Sequence, residues 1–235
     1  MKKTINKKIF LIIFYVIILI ATILLGVITR ISFGQSCYDE TKYPSATLSR
    51  NGDYGAIMNV DEVVECLEGA PYILVVNHIN SEEKFECTKS TVIVKQVING
   101  DDINIGDEII LYEYNNFSTY QMQGETLHYI NRNPVNLMNN TDDYLVFLTE
   151  LNLNDAYKKY NPIREFSQFG ELEMISIFNI SKPNQIFYNN ENTALSLSYS
   201  DVKEQEFVCF SQDSLNTLNS IKNEMISKYA RWCSD

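Results

Sequence analysis

The sequence predicts a mainly β fold with flanking helices, in which a small β-barrel follows one N-terminal transmembrane helix. Three observations support this class: an uninterrupted apolar run at residues 9–28, at least five strand-like runs separated by turn signals, and short helical patterns on either side of them. About 200 of the 235 residues follow the apolar run, enough for one domain with a sizeable core. The predicted organisation is therefore a stub at 1–8, a transmembrane helix at 9–31, a linker at 32–59 and a domain at 60–235.

The apolar run has the length of a membrane span. Its 20 residues rise about 1.5 Å each, which gives about 30 Å of uncharged helix. The preceding MKKTINKK is basic, so the positive-inside rule places the N-terminus in the cytoplasm and the domain beyond the plasma membrane. The alternative is a cleaved signal peptide. The run is longer than a usual signal core of about 7–15 residues, and Gly34-Gln35-Ser36 before Cys37 is a poorly placed cleavage site. We therefore expect a retained anchor, although cleavage stays open.

Strand and turn signals dominate the rest of the chain. Residues 32–59 mix glycine and proline with polar residues and predict the linker, and VDEVVECL at 60–67 predicts a short helix. Turns are indicated at Asn99-Gly100-Asp101 and at Gly106-Asp107. The main predicted strands lie at 72–79, 91–98, 108–114, 144–149 and 170–178, and shorter ones lie at 185–188, 195–199 and 207–210.

A helix of about residues 213–231 ends the chain. Asp213 is the predicted N-terminal cap, and an apolar stripe of helical period follows it. The simplest interpretation is a helix that packs on the β core. A helix that binds a partner protein is the alternative.

These elements resemble a group of uncharacterised bacterial surface proteins and lipoproteins. The resemblance rests on VDEVVECLEGAPYILVVNHI, TVIVKQVINGDDINIGDEIILY and DDYLVFLTE, and the later GELEMISIF and the closing helix also fit. It covers roughly residues 60–228 and implies a small OB-like, netrin-like barrel, similar in shape to tissue inhibitors of metalloproteinases. The group implies no common activity and no catalytic residue. The resemblance also implies a location at the cell surface. Abundant lysine, asparagine and isoleucine indicate a bacterial, AT-rich genome.

The same resemblance raises the possibility of a protease inhibitor. Inhibitors of that shape chelate a protease's zinc with a free N-terminal cysteine. Cys37 would take that part only after cleavage behind Ser36, and the usual Cys-x-Cys start is missing because Asp39 follows Tyr38.

All five cysteines follow the membrane segment, on the side where disulfides form. Their odd number leaves at least one unpaired or bonded to another chain. One or two disulfides could tie the termini to the β core, for example Cys37 or Cys209 with Cys233. Buried thiols are the alternative, and the connectivity among Cys37, Cys66, Cys87, Cys209 and Cys233 stays open.

Charge argues against nucleic acid as a partner. The first 30 residues hold five of the 19 basic side chains and no acidic one, so 14 basic side chains face 30 acidic ones in the rest. The net charge there is near −16, without the basic cluster that a phosphate backbone requires.

No catalytic, cofactor-binding or metal-binding residue is predicted. His78 is expected to be a structural strand residue and His128 to lie in a polar loop. Either one with a serine could form a nucleophile–base couple, but the motif G-x-S-x-G is absent. The acidic pairs could serve glycoside hydrolysis or weak calcium binding, but each sits where aspartate favours a turn. These pairs are Asp101-Asp102, Asp107-Glu108 and Asp142-Asp143.

The expected function is a non-enzymatic interaction module that is anchored in the membrane and faces outward. Tyrosines can form a recognition surface for a protein or a glycan, and OB-type barrels bind oligomers across one sheet face. The relevant groups are Tyr112, Tyr114 and Tyr120, and Tyr157 and Tyr160. The alternatives are an extracellular hydrolase that uses an acidic pair and, if cleavage precedes Cys37, a netrin-like protease inhibitor.

Overall fold

The computed structural model describes residues 7–34, 46–50, 59–84, 87–119, 127–131, 134–153, 157, 159, 162–170, 175–182, 198–209 and 211–232. The chain forms two compact units, Met1–Ser36 and Cys37–Asp235.

The described part of the first unit is one apolar helix, α1 (Lys7–Gly34). Its stretch Leu11–Ile28 is long and apolar enough to cross a membrane, and its large side chains are exposed. No other helix in the described ranges has this property. An apolar surface of this size is unfavourable in water, so the helix requires either a lipid environment or removal as a signal sequence.

The second unit is built around a closed five-stranded barrel. Its strands are β2 (Tyr72–Lys84), β3 (Cys87–Asn99), β4 (Glu108–Glu113), β7 (Asp143–Glu150) and β8 (Arg164–Gln168). They follow one another around the barrel as β2-β3-β4-β8-β7, and β7 closes it by pairing with β2. Only the β4–β8 pair is parallel. The barrel and the mainly β class predicted from the sequence are thus confirmed.

The β3–β4 hairpin shows why the turn signals were informative. Gly100 has φ +141° and Gly106 has φ +92°, conformations that residues with a Cβ rarely adopt. Along β3, inward side chains are buried and outward ones half-exposed from Cys87 to Val94. A strict period of two therefore separates the interior of the barrel from its outer face.

A small second sheet lies beside the barrel in the order β1-β6-β5. Its strands are β1 (Thr47–Arg50), β5 (Asn116–Thr119) and β6 (Leu127–Asn131). Phe117, Tyr129 and Tyr199 pack their rings together, with centroids 4.8–5.1 Å apart. Strand β1 lies inside the range predicted as linker, and His128 lies on β6 instead of in a loop.

Two helices cover the barrel core. Helix α2 (Val60–Glu68) and helix α4 (Gln212–Lys228) bury their apolar faces against it, and an ion pair joins Lys228 to Glu68. The prediction that the closing helix packs on the core is confirmed. The predicted cap was wrong: the Ser211 side chain accepts from the Ser214 amide, and Asp213 lies in the first turn.

Several shorter predictions need correction. In the strand predicted at 170–178, residues 171–174 lie outside the described residues, and the described part contains the start of β9 (Ile177–Asn179), which pairs with β7. At 195–199, the described part begins helix α3 (Tyr199–Val202). At 207–210, the described residues 207–209 form a bridge from Phe207 to Val135 instead of a strand. The range 185–188 lies outside the described residues. Strand β8 was missed because REFSQ carries a single apolar residue.

Candidate functional site

The outer face of β3, β4 and β8 carries the first candidate site. Its half-exposed side chains include Lys89 on β3, Tyr112 on β4 and Ser167 on β8, which are register partners across the three strands. Tyr157 lies between β7 and β8 and is 38 % exposed. The sequence had placed Tyr112 and Tyr157 in separate groups, and the structure brings them together.

Glu165 holds the two tyrosines in place. Tyr112 donates its hydroxyl hydrogen to Glu165 Oε2, and Tyr157 donates to Oε1, both at 2.8 Å. Glu165 is itself only 4 % exposed, so one buried carboxylate fixes two phenol rings at the surface. We call these three residues the tyrosine face.

Electrostatics keep both phenols protonated. Burial is the main cause that raises the pKa of Tyr112, and the hydrogen bond to Glu165 adds to it. For Tyr157, the hydrogen bond to Glu165 is the main cause of a raised pKa. The two hydroxyls therefore remain donors to the buried Glu165 carboxylate.

The interior of the barrel carries a second polar group of side chains. His78 Nε2 lies 2.9 Å from Ser81 Oγ, which lies 2.9 Å from Ser90 Oγ, and Ser90 donates to Glu113 Oε1. Glu113 Oε2 accepts from the backbone N–H of Met138 at 3.0 Å. We call the four side chains His78, Ser81, Ser90 and Glu113 the interior chain.

A β-bulge makes this chain possible. His78 pairs with Val92 and Asn80 pairs with Thr91, so Ile79 is an extra residue in β2. In a regular strand, residues three apart point to opposite faces. The extra residue restores His78 and Ser81 to the same face, where β3 presents Ser90.

Burial shifts the pKa values at both ends of the chain. It raises the pKa of Glu113, which is 2 % exposed, to about 7, and the bonds from Ser90 and Met138 only partly oppose it. It lowers the pKa of His78, which is 1 % exposed, to about 4. Glu83 is the register neighbour of Thr88 beside Glu113, and burial raises its pKa to about 7 as well.

The acidic pairs found in the sequence form no common site in the described part of the chain. Asp107 accepts from the Asn104 amide in the second turn of the β3–β4 connection, and Asp102 has φ +61° in the first. Asp142 accepts from Asn179 and pairs with Lys182, and Asp143 accepts from the Asn77 side chain. Each pair thus supports a turn or a strand end. The other histidine, His128, is on β6 in the second sheet.

Two further kinds of site concern metal ions and disulfides. No group of three or more His, Cys, Asp or Glu side chains in the described ranges is placed to hold a metal ion. Cys37 and Cys233 lie outside those ranges, so the predicted disulfides stay predictions. Cys209 is buried in the core.

The sequence analysis missed Glu165, Ser81, Ser90 and Glu113. One signal existed for Glu113: in EIILYE it continues the inward stripe of Ile109 and Leu111, where an apolar residue is expected. An acid at such a position indicates a buried polar partner. Glu165 gave no comparable signal, because β8 itself was not recognised.

No protein-family model matches the chain, and the search of curated proteins found no match.

Proposed function

We propose that this protein is a membrane-tethered, non-enzymatic binding module on the extracytoplasmic side, and that its tyrosine face binds an oligosaccharide. The single observation behind this proposal is the pair of tyrosines fixed on Glu165. The netrin-like subclass and the surface location suggested by the resemblance belong to the same proposal. Helix α1 would be the tether, with its basic N-terminus in the cytoplasm.

The position of the tyrosines supports a binding role. OB-type barrels bind oligonucleotides and oligosaccharides on the face of their second and third strands and with the connection from the fourth to the fifth. Here the third barrel strand, β4, carries Tyr112, and the connection from β7 to β8 carries Tyr157.

Charge selects between the two kinds of oligomer. The region after residue 30 has a net charge near −16, and Glu165 stands at the centre of the face. A polyanion would be repelled by both. A neutral or amino-bearing oligosaccharide would not, and tyrosine suits it, because a sugar ring has apolar C–H faces and polar hydroxyls, as a phenol has an apolar face and a polar tip.

The direct test is binding of the full chain, in lipid nanodiscs, to an array of neutral, amino-bearing and anionic oligosaccharides. We expect retention on neutral or amino-bearing sugars only. Tyr157→Ala should weaken retention at least about tenfold, a loss of about 1.4 kcal/mol. Tyr157→Phe keeps the ring and should weaken it less. Ile105→Ala, at an exposed apolar side chain in the β3–β4 turn, is the matched control and should change nothing.

Two outcomes would overturn the proposal. One is retention on anionic sugars alone. The other is no retention on any sugar, together with a crosslink to a protein from a photoreactive side chain in place of Tyr157, which would assign the face to a protein partner.

A further inference from the structure

The hydrogen bonds of the interior chain have a direction that depends on the protonation of Glu113. Each serine hydroxyl has one hydrogen to donate, so an ionised Glu113 allows only one arrangement of the three links. Ser90 then donates to Glu113, Ser81 donates to Ser90, and His78 must donate its Nε2 hydrogen to Ser81. When Glu113 is protonated on Oε1 and donates to Ser90, this constraint is lifted, and both serines can donate towards His78 so that Nε2 becomes an acceptor.

Both ends of the interior chain contact one segment, residues 134–142, which we call the strap. Met138 donates its amide hydrogen to Glu113, as noted above, and the Thr141 amide donates to the carbonyl of His78 at 3.0 Å. The His78 amide donates to the carbonyl of Asp142 at 3.1 Å. The strap also carries Asn136, whose side chain donates to the carbonyls of Val202 and Gln205 in the region around α3.

We propose that the interior chain and the strap form a proton-controlled switch, in which an ionised Glu113 both fixes His78 as the Nε2–H tautomer and holds the strap through the Met138 amide, and protonation of Glu113 releases both. An ionised Glu113 binds the Met138 amide in a charge-assisted bond, which is stronger than the bond to a neutral carboxyl. One proton on Glu113 would therefore weaken the contact with the strap and lift the constraint on the His78 tautomer.

The proton balance of the switch is simple. One proton from solvent binds His78 Nδ1, and the Nε2 proton passes to Ser81. Ser81 passes its own hydrogen to Ser90, and Ser90 passes its own to Glu113. Both serines and the imidazole end neutral, and the net change is one proton taken up by the carboxyl. His78 Nδ1 is buried, and the backbone of Asn139 in the strap is a hydrogen-bond neighbour of the imidazole.

The other titratable groups around the interior chain do not take part in this proton transfer. Asp142 faces His78 from the strap, where it is paired with Lys182 at 3.1 Å. Tyr129 from β6 and Tyr144 from β7 face Glu113, and burial raises the pKa of both, so they stay neutral. Glu83 shares the face but makes no link in the chain, since its buried Oε2 has no partner.

The test is the tautomer of His78, read from imidazole nitrogen NMR of the full chain with labelled histidine in detergent micelles. His128 is the only other histidine and serves as an internal reference. We expect the Nε2–H tautomer at pH 8 and a rise in the Nδ1–H tautomer at pH 5, and the midpoint of this change should equal that of the Glu113 titration. The protection factor of the Met138 amide, which corrects for intrinsic exchange, should be higher at pH 8.

Variants separate the switch from ordinary burial. Glu113→Gln donates to Ser90 at every pH, so the tautomer of His78 should no longer change between pH 5 and pH 8. Ser90→Ala breaks the chain, so the tautomer should no longer follow Glu113, and this variant also covers a failure of Glu113→Gln to fold. Glu83→Gln is the matched control and should switch as the wild type does. The same tautomer at pH 5 and pH 8 in wild type, or continued switching in Ser90→Ala, would overturn the proposal.

Discussion

At the scale of residues, Glu113 is the most consequential polar side chain, because it is buried without a cation. Its pKa is about 7 in the folded protein against an ordinary value of 4.5. A carboxyl whose pKa is raised by folding stabilises the native state fully below pH 4.5 and loses that contribution as the pH rises through 7. The shift corresponds to at most about 3 kcal/mol.

Glu113→Gln should therefore flatten the pH dependence of unfolding. Near pH 4.5 we expect the variant and the wild type to be about equally stable. At pH 8 the variant should be more stable by up to about 3 kcal/mol, because no buried charge forms. Urea unfolding of the full chain at several pH values measures this. Glu82→Gln, at an exposed residue of β2, is the control and should have the same pH dependence of the free energy of unfolding as the wild type. If the pH dependence of Glu113→Gln also ran parallel to that of the wild type, Glu113 would not be the titrating group.

His78 acts in the opposite direction. Its folded pKa of about 4 is below the ordinary 6.5, so its contribution is present above pH 6.5 and is lost as the pH falls through 4. The two ends of the interior chain therefore oppose each other in the acidic range. Comparison of each variant with the wild type at the same pH separates the two.

At the scale of elements, the β3–β4 hairpin depends on Gly100. A Cβ at Gly100 would lie 2.6 Å from Cδ1 of the Tyr72 ring, whereas a Cβ at Gly106 would meet nothing within 4 Å. Both glycines have positive φ, so both substitutions by alanine strain the backbone. Only Gly100 adds a steric clash.

Gly100→Ala should therefore destabilise the protein more than Gly106→Ala. We expect about 1 kcal/mol for Gly106→Ala from backbone strain, and about 2–4 kcal/mol for Gly100→Ala. The Tyr72 hydroxyl accepts a hydrogen bond from Arg164, and the Arg164 guanidinium lies over the rings of Tyr72 and Phe166. These contacts hold the Tyr72 ring in place. If both variants lost the same stability in thermal unfolding, the backbone conformation of the turn, and not the contact with Tyr72, would explain the requirement for Gly100.

The elements that the sequence predicted well have strong local signals. The turns at Gly100 and Gly106 and the apolar stripe of α4 depend on neighbours in sequence. Strand β8 has no such signal, because its pairing with β4 and its contacts through Arg164 and Glu165 are long-range. The bulge at Ile79 was likewise invisible, since only the register with β3 defines it. Both candidate sites depend on these two features, so sequence reasoning could supply their tyrosines and histidine but not their geometry.

At the scale of the whole molecule, the account predicts a retained N-terminal helix. The exposed apolar side chains of α1 are consistent with a membrane span, and the basic residues before it favour a cytoplasmic N-terminus. Intact mass and N-terminal sequencing of the protein from host membranes should give a start at Met1 or Lys2. A start at Cys37 would contradict the anchor and restore the predicted protease inhibitor.

The central claim is that the outer face of β3, β4 and β8 is the binding surface. Hydrogen–deuterium exchange of the full chain in nanodiscs, with and without the oligosaccharide that the array retains most tightly, tests it most directly. The account predicts that binding slows exchange in Lys89–Thr91 of β3, in β4, in β8 and around Tyr157, and that Tyr157→Ala abolishes this protection at the same sugar concentration. Protection confined to the second sheet, or unchanged by Tyr157→Ala, would contradict it.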